Sequence, residues 1–341
     1  MGSFDRSATI VDITRGLEER FQIKKKREMQ GVTAVSLSAA GDLVALGSGS
    51  GKYWVYDCGS GTCPRKRYEG QMKKRIHDLT FSDDGAFLAV GDYSGSLRIL
   101  NADSGESATG GPSDLLPETK GHFLWGLAFH SRPAGTVSSK DYILAAACWN
   151  GAAYVVRLTM EPETQRQLTR IQLGVLHEKG PLNVLASRAY DVTLSAYATR
   201  MAVGWRSGAV CIYDIEDEGA FSMLNEPICE FQDSDKVWCC ALSPSGAYTA
   251  VGGVAKTVKI FNNDHHKGQP LAEWPQKHNV VKLCFLDDHT FGAVTFDGKC
   301  IIFDVDGLSQ ILKLHFADEC TGLSFMLSGG LAVAWGSSVT V

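Results

Sequence analysis

Hydrophobic residues recur along this chain in short runs separated by turn formers, and the runs keep one order. An apolar strand is followed by a small or acidic turn, then by a strand ending in small residues and Gly. A short Gly/Ser/Asp turn leads into a third strand that closes on an aromatic followed by Asp or Asn. The first unit has strands at 32–37, 43–47 and 54–57, with Ala40-Gly41-Asp42 and Ser50-Gly51 between them. The second runs 77–81, Asp83-Asp84-Gly85, 87–91, Ser94-Gly95 and 97–101. Three later units fall at 190–214, 237–262 and 280–304, and a looser one at 124–158 carries a polar insertion, 131–140. Short apolar runs bounded by Gly, Ser and Asp predict strands. Helical periodicity is confined to a turn or two near residues 13–21.

The third strands end at Asp57, Asn101, Arg157, Asp214, Asn262 and Asp304. These spacings are near the ~40–45 residues of a four-stranded propeller blade, with loop insertions added. Weaker fourth strands, expected at solvated outer edges, fall at 65–68, 166–173, 228–231, 271–274 and 311–315. Residues 321–325, 331–335 and 339–341 read as three strands of a seventh unit, while 20–25 precedes the first unit without one of its own. Bare strand edges invite aggregation and ring closure removes them. The expectation is an all-β fold, a seven-bladed β-propeller of four-stranded antiparallel blades, in which an N-terminal strand completes the last blade. Residues 1–19 then form an N-terminal extension and 20–341 a single domain.

The units resemble those of the WD-repeat family of seven-bladed propellers over about residues 20–341. The family's closing Trp-Asp stands here as Tyr56-Asp57, Tyr213-Asp214 and Phe303-Asp304, and its Gly-His as Gly121-His122. The nearest match to its buried His–Ser/Thr–Asp set is His278, Thr295 and Asp297. The resemblance implies a non-catalytic scaffold, binding other proteins on one face as part of a larger complex.

Composition narrows the alternatives. Hydrophobic residues are 44% and charged residues 21%, a globular balance. The net charge of −5 gives no whole-chain attraction to nucleic acid or an anionic membrane. No apolar run approaches the ~18 residues of a membrane span, and the first residues lack the apolar core of a secretory signal. The expected location is cytoplasmic. Of ten cysteines, Cys148, Cys211, Cys239, Cys240, Cys284 and Cys300 lie in apolar runs as small hydrophobes. Cys58 and Cys63 share a loop, but no further ligand at zinc spacing follows.

Catalytic signatures such as GxSxG, GxxxxGK[ST] and HExxH are absent from the sequence. Gly47-Ser48-Gly49-Ser50-Gly51 sits between strands with no helix after it, which makes it a turn and not a phosphate cradle. His265-His266 reads as a solvated loop, and the repeated Asp83-Asp84 and Asp287-Asp288 as turn formers. A propeller enzyme with a channel-mouth site is the alternative class. It needs ligands converging from several first strands, yet equivalent positions hold Thr33, His77, Trp125, Tyr190, Trp238, Val281 and Thr321. One His among seven builds no metal site, so neither metal nor cofactor is expected.

That ring is aromatic on one side, and Trp205 follows nearby. Trp125, Tyr190, Trp205 and Trp238 are therefore a candidate partner-binding arc, since Trp and Tyr anchor interfaces. A second candidate is a basic patch of Lys24, Lys25, Lys26, Arg27, Arg65, Lys66, Arg67, Lys73, Lys74 and Arg75. It would suit an adaptor for phosphoinositide, RNA or acidic protein tails, or a peripheral anionic surface. Only Tyr68 interleaves these cations, which argues against nucleic acid.

Overall fold

The apolar runs named above that fall among the described residues become strands, because β-branched and aromatic residues fit a pleated, half-buried surface while Gly and Asp end each run. The computed structural model describes residues 7–12, 18–24, 31–58, 64–109, 115–132, 140–160, 167–177, 188–215, 226–265, 268–316, 319–325 and 330–335. Among these there is no α-helix, only two 3₁₀ turns, at Pro117–Thr119 and Ala196–Ala198. An N-terminal hairpin pairs β1 (Ser7–Asp12) with β2 (Glu18–Lys24). The first sheet follows as β3 (Val32–Leu37), β4 (Leu43–Ser48), β5 (Lys52–Asp57) and β6 (Arg65–Gln71). The second has β7 (Ile76–Phe81), β8 (Phe87–Asp92) and β9 (Leu97–Asn101), and the third β10 (Leu124–Arg132), β11 (Asp141–Cys148), β12 (Ala152–Met160) and β13 (Leu168–His177).

The fourth sheet comprises β14 (Ala189–Leu194), β15 (Arg200–Trp205), β16 (Ala209–Asp214) and β17 (Cys229–Gln232). The fifth comprises β18 (Val237–Leu242), β19 (Tyr248–Gly253), β20 (Thr257–Asn262) and β21 (Ala272–Pro275). The sixth comprises β22 (Val280–Phe285), β23 (Thr290–Thr295), β24 (Lys299–Asp304) and β25 (Ser309–His315). The last sheet joins β26 (Cys320–Phe325) and β27 (Gly330–Trp335) to the N-terminal hairpin, in the order β2-β1-β27-β26. All pairs are antiparallel. Among the described residues the second sheet has three strands, with one isolated bridge, Leu100 to Ser107, at its outer edge.

The last sheet departs from the sequence expectation in one respect. Strand β2 takes the outer place foreseen for residues 20–25, but β1 occupies the third place, pairing Ser7 with Trp335 and Asp12 with Gly330. That strand lies inside the stretch read as an extension, and residues 339–341 lie outside the described residues. The physical reason is local: Thr9-Ile10-Val11 is a β-branched run, and a hairpin delivers two strands through one connection.

The first strands pack in succession, β3 on β7, β7 on β10, and onward to β22 on β26 and β26 on β3. Each is paired on one side only, so its other edge carries polar backbone groups that need partners. Neighbouring side chains supply them. Thr33 Oγ1 donates to Ile76 O at 2.6 Å and Thr321 Oγ1 to Val32 O at 2.7 Å. In the other direction, Ser36 Oγ accepts from Phe81 N and Ser324 Oγ from Leu37 N, each at 3.1 Å. The paired aspartates read as turn formers also serve this purpose. Asp83 Oδ1 accepts from Ser131 N at 2.5 Å, and Asp288 Oδ1 from Ser245 N at 2.9 Å.

Deleting residues 1–28 should leave one edge of β27 bare and lower the melting temperature by ~10 °C or more, or cause aggregation. A truncated protein that stays monomeric at an unchanged melting temperature would refute the structural role of the hairpin.

Candidate functional site

The seven first strands share one irregularity that builds the site. Each register slips near its start, between Val32 and Ala34, Ile76 and Asp78, Leu124 and Gly126, Ala189 and Asp191, Val237 and Cys239, Val280 and Lys282, and Cys320 and Gly322. The extra residue of each bulge is Thr33, His77, Trp125, Tyr190, Trp238, Val281 or Thr321, the ring picked out from sequence. A bulge bends the strand and re-aims the unpaired side chain.

Three of these bulge residues gather with neighbours from adjoining loops into one aromatic stack. The His77 and Trp125 rings lie 3.9 Å apart, and Trp125 stacks on Trp149 at 5.0 Å and meets Tyr190 at 5.1 Å. Phe123 bridges Tyr93 at 4.3 Å and Trp149 at 4.8 Å. Two guanidinium groups cap the stack, Arg188 at 4.1 Å over Trp149 and Arg75 at 5.7 Å over Tyr93. Tyr190 is 6% exposed, while Tyr93, Phe123, Trp125 and Trp149 are half-buried. Each favourable ring pair contributes about 0.5–1.5 kcal/mol beyond its buried area. His77 Nδ1 lies 2.8 Å from Trp125 O, a carbonyl that can only accept, so the proton sits on Nδ1. Burial pushes the imidazole down to about 3, outweighing this hydrogen bond, so the ring is neutral near pH 7.

The sequence arc is therefore redistributed. Trp125 and Tyr190 belong to the stack. Trp238 is half-buried at its own bulge and makes none of the ring contacts found among the described residues. Trp205 corrects the expectation of an exposed indole: it is fully buried. It stands opposite Ala189, in a core cluster with Ala145, Ala147, Ala153 and Ala209, where small side chains leave volume for one large ring. Tyr93, Phe123, Trp149 and Arg188 were missed because they lie outside the first-strand register that was compared.

The basic patch also divides. Strand β6 pairs Arg65 with Asp57 and Gln71 with Lys52, so Arg65, Lys66 and Arg67 sit at one end of it and Lys73, Lys74 and Arg75 follow the other. Residues 68–72 separate the groups by about 20 Å. Lys66 pairs with Glu69 at 2.9 Å and Arg67 with Asp103 at 3.0 Å. Lys24 ends β2 at the strand-start side, whereas Lys25, Lys26 and Arg27 lie outside the described residues, as do Cys63 and His266. His278 is exposed and apart from the Thr295–Asp297 hydrogen bond of 2.6 Å; Lys299 pairs with Asp297 instead.

One residue beyond the bulges, three charges meet across the channel. Lys282 Nζ lies 3.2 Å from Asp78 Oδ2 and 3.4 Å from Asp191 Oδ1, joining the sixth, second and fourth sheets. Asp78 also accepts from Leu127 N at 3.0 Å, and Asp191 from Cys240 N at 3.1 Å, which brings in the third and fifth sheets. Burial pushes the Asp191 carboxyl up to about 6 against the pull of Lys282. Burial also opposes the Lys282 charge, but Asp191 and Asp78 outweigh it and hold the ammonium above its ordinary range. Beyond the triad, toward the strand-end mouth, lies a cavity of about 580 Å³ lined by all seven first strands. Its lining includes Ser36, Phe81, Phe129, Leu194 and Leu286. Among the described residues, no three His, Cys, Asp or Glu side chains converge as a metal site. No helix there is long and apolar enough to cross a membrane.

Seven antiparallel sheets with bulged inner strands define a repeat-built all-β protein. Residues 35–113 match the family model of the anaphase-promoting complex subunit 4 WD40 domain, and residues 225–262 that of the WD domain, G-beta repeat. Over those residues the chain is similar to WD-repeat proteins, whose repeats generally mediate protein–protein interactions and scaffolding. No curated protein matches it.

Two outcomes test this geometry. Lys282→Met leaves two carboxylates facing without their counter-charge and should cost about 3–5 kcal/mol. Adding Asp78→Asn and Asp191→Asn should recover most of the loss in denaturant unfolding; no loss in the single variant would refute the triad. The second outcome concerns His77. Its folded value lies below the unfolded 6.5, so the fold declines a proton that the unfolded chain accepts. Its contribution is full above pH 6.5 and falls as pH drops toward 3. Its imidazole resonances should stay flat from pH 8 to 5 in an NMR titration, and a midpoint near 6.5 would contradict the buried assignment.

Proposed function

We propose that this protein is a non-catalytic interaction scaffold: a seven-bladed ring, closed by its N-terminal hairpin, that docks a partner protein at the strand-start mouth of its channel. The observation that carries this reading is the half-buried stack of Tyr93, Phe123, Trp125 and Trp149 beneath Arg75 and Arg188. Trp, Tyr and Arg are the residue types that dominate binding energy at interfaces, and here they cluster on loops held by rigid sheets. The succession of first strands, with β26 packed on β3, supports the ring. The match over residues 35–113 is to a domain of a subunit of a multiprotein complex, which supports a role as a complex subunit.

Affinity capture with identification of bound proteins provides the test. Trp149→Ala and, separately, Arg188→Ala should each weaken a captured partner at least about tenfold, with melting temperatures confirming that the variants fold. Full retention of every partner by both folded variants would overturn the docking mouth.

A further inference from the structure

The same mouth carries a second pattern, in charge. The loops leading into successive first strands place Lys73 and Lys74 before β7, Lys120 before β10, Arg188 before β14, Lys236 before β18 and Lys277 before β22. Lys73, Lys74, Lys120 and Lys277 are exposed, and none of the six makes a side-chain ion pair among the described residues. The acids near them are mostly engaged. Asp92 is buried and accepts from Lys74 N at 3.0 Å and Ser94 N at 2.8 Å; Asp233 is buried against Lys259 at 3.0 Å. Glu118 and Asp235 are exposed on these loops, and Asp235 Oδ1 accepts from Lys236 N at 2.7 Å. The opposite, strand-end face mixes both signs, with Asp84 paired to Lys140 at 2.6 Å and Asp214 and Asp264 to Arg200 at 3.1 and 2.8 Å. Among the described residues, a chain of net charge −5 thus places cations on five of the loops that enter its first strands, beside the aromatic stack.

We infer that the strand-start mouth receives an acidic protein segment carrying an aromatic or aliphatic anchor, an inference that rests on the docking role proposed above. Carboxylates complement the loop lysines and steer encounter. Guanidinium groups bind carboxylates in bidentate fashion, and Arg75 and Arg188 stand over Tyr93 and Trp149 with no side-chain ion pair among the described residues. A single-stranded nucleic acid would use the same cations but needs open ring faces for its bases. Those faces are filled from within: Trp125 on Trp149 with planes 12° apart, Tyr93 on Phe123 at 15°, and guanidinium groups over Trp149 and Tyr93. Ring edges remain, and they suit an apolar side chain.

The test titrates the full chain with four probes: a short glutamate-rich peptide with one central phenylalanine, its lysine counterpart, the glutamate peptide without phenylalanine, and an oligouridylate. The glutamate–phenylalanine peptide should bind, and its affinity should fall as salt rises. Removing phenylalanine, or Lys73→Glu with Lys74→Glu, should each weaken it at least about tenfold, and the lysine peptide should not bind. Tighter binding of oligouridylate would assign the face to nucleic acid and overturn the inference. Self-association by light scattering that the charge reversal abolishes would assign it to a second copy and overturn the inference as well. Failure of the acidic peptide while Trp149→Ala still loses a captured partner would sink the acidic class alone; failure of both sinks the docking mouth with it.

Discussion

The inner edge of each sheet governs this fold. A first strand has one paired side and one side facing its neighbour, and the backbone groups on that open side would be costly to bury unmatched. Hydroxyls and carboxylates from the adjacent first strand meet them, from Thr33 on Ile76 to Thr321 on Val32. The pattern spaces the sheets, because a side chain that must reach a neighbour's amide fixes how near that neighbour can lie. The Lys282, Asp78 and Asp191 triad extends the arrangement across the channel, linking sheets that are not adjacent. Such a charged group is weak as a net source of stability but demanding in geometry, since one missing partner leaves a buried charge uncompensated.

The same geometry explains which parts of the molecule were legible in the sequence. Strand order and the bulge ring could be read because each ring residue precedes a closing Phe or Leu by a fixed interval, and the backbone keeps that interval in all seven sheets. The charged triad was equally accessible in principle: Asp78, Asp191 and Lys282 occupy the next register position, where the other sheets hold Ala34, Gly126, Cys239 and Gly322. Charges among small residues at one register are a signal that went unread. Trp205 misled because its place in the chain says nothing of the alanines it faces, which lie in two other strands and the third sheet. Phe123, Trp149 and Arg188 come from loops and turns, whose convergence depends on how neighbouring sheets pack and not on any local period. The strand Ser7–Asp12 was overlooked because its partner lies more than three hundred residues away.

Glycines at the turns between second and third strands help to set the mouth. Gly51 has φ of 83°, and a Cβ there would lie 2.5 Å from Lys74 O; at Gly208, with φ of 97°, it would lie 2.7 Å from Asp233 O. Only a residue without a side chain lets these turns support the loops that lead into the next sheet. The loops carrying Lys74 and Lys236 are thus placed by close backbone packing, and the charges around the mouth are positioned by the scaffold and not by one another.

The pairing of β1 with β27 also sets an order of events during synthesis. Residues 7–24 are synthesised some three hundred residues ahead of 330–335 but cannot reach their place until those residues exist. At translation rates of ~5–20 residues per second, the hairpin waits roughly 15–60 s for its partner strand. Throughout that interval the first sheet can form while its neighbour on the β26 side is missing, and the chain behaves as an unclosed stack. The hairpin of residues 7–24 is therefore fixed late despite being made early, and any factor that shields a nascent chain has its longest task there.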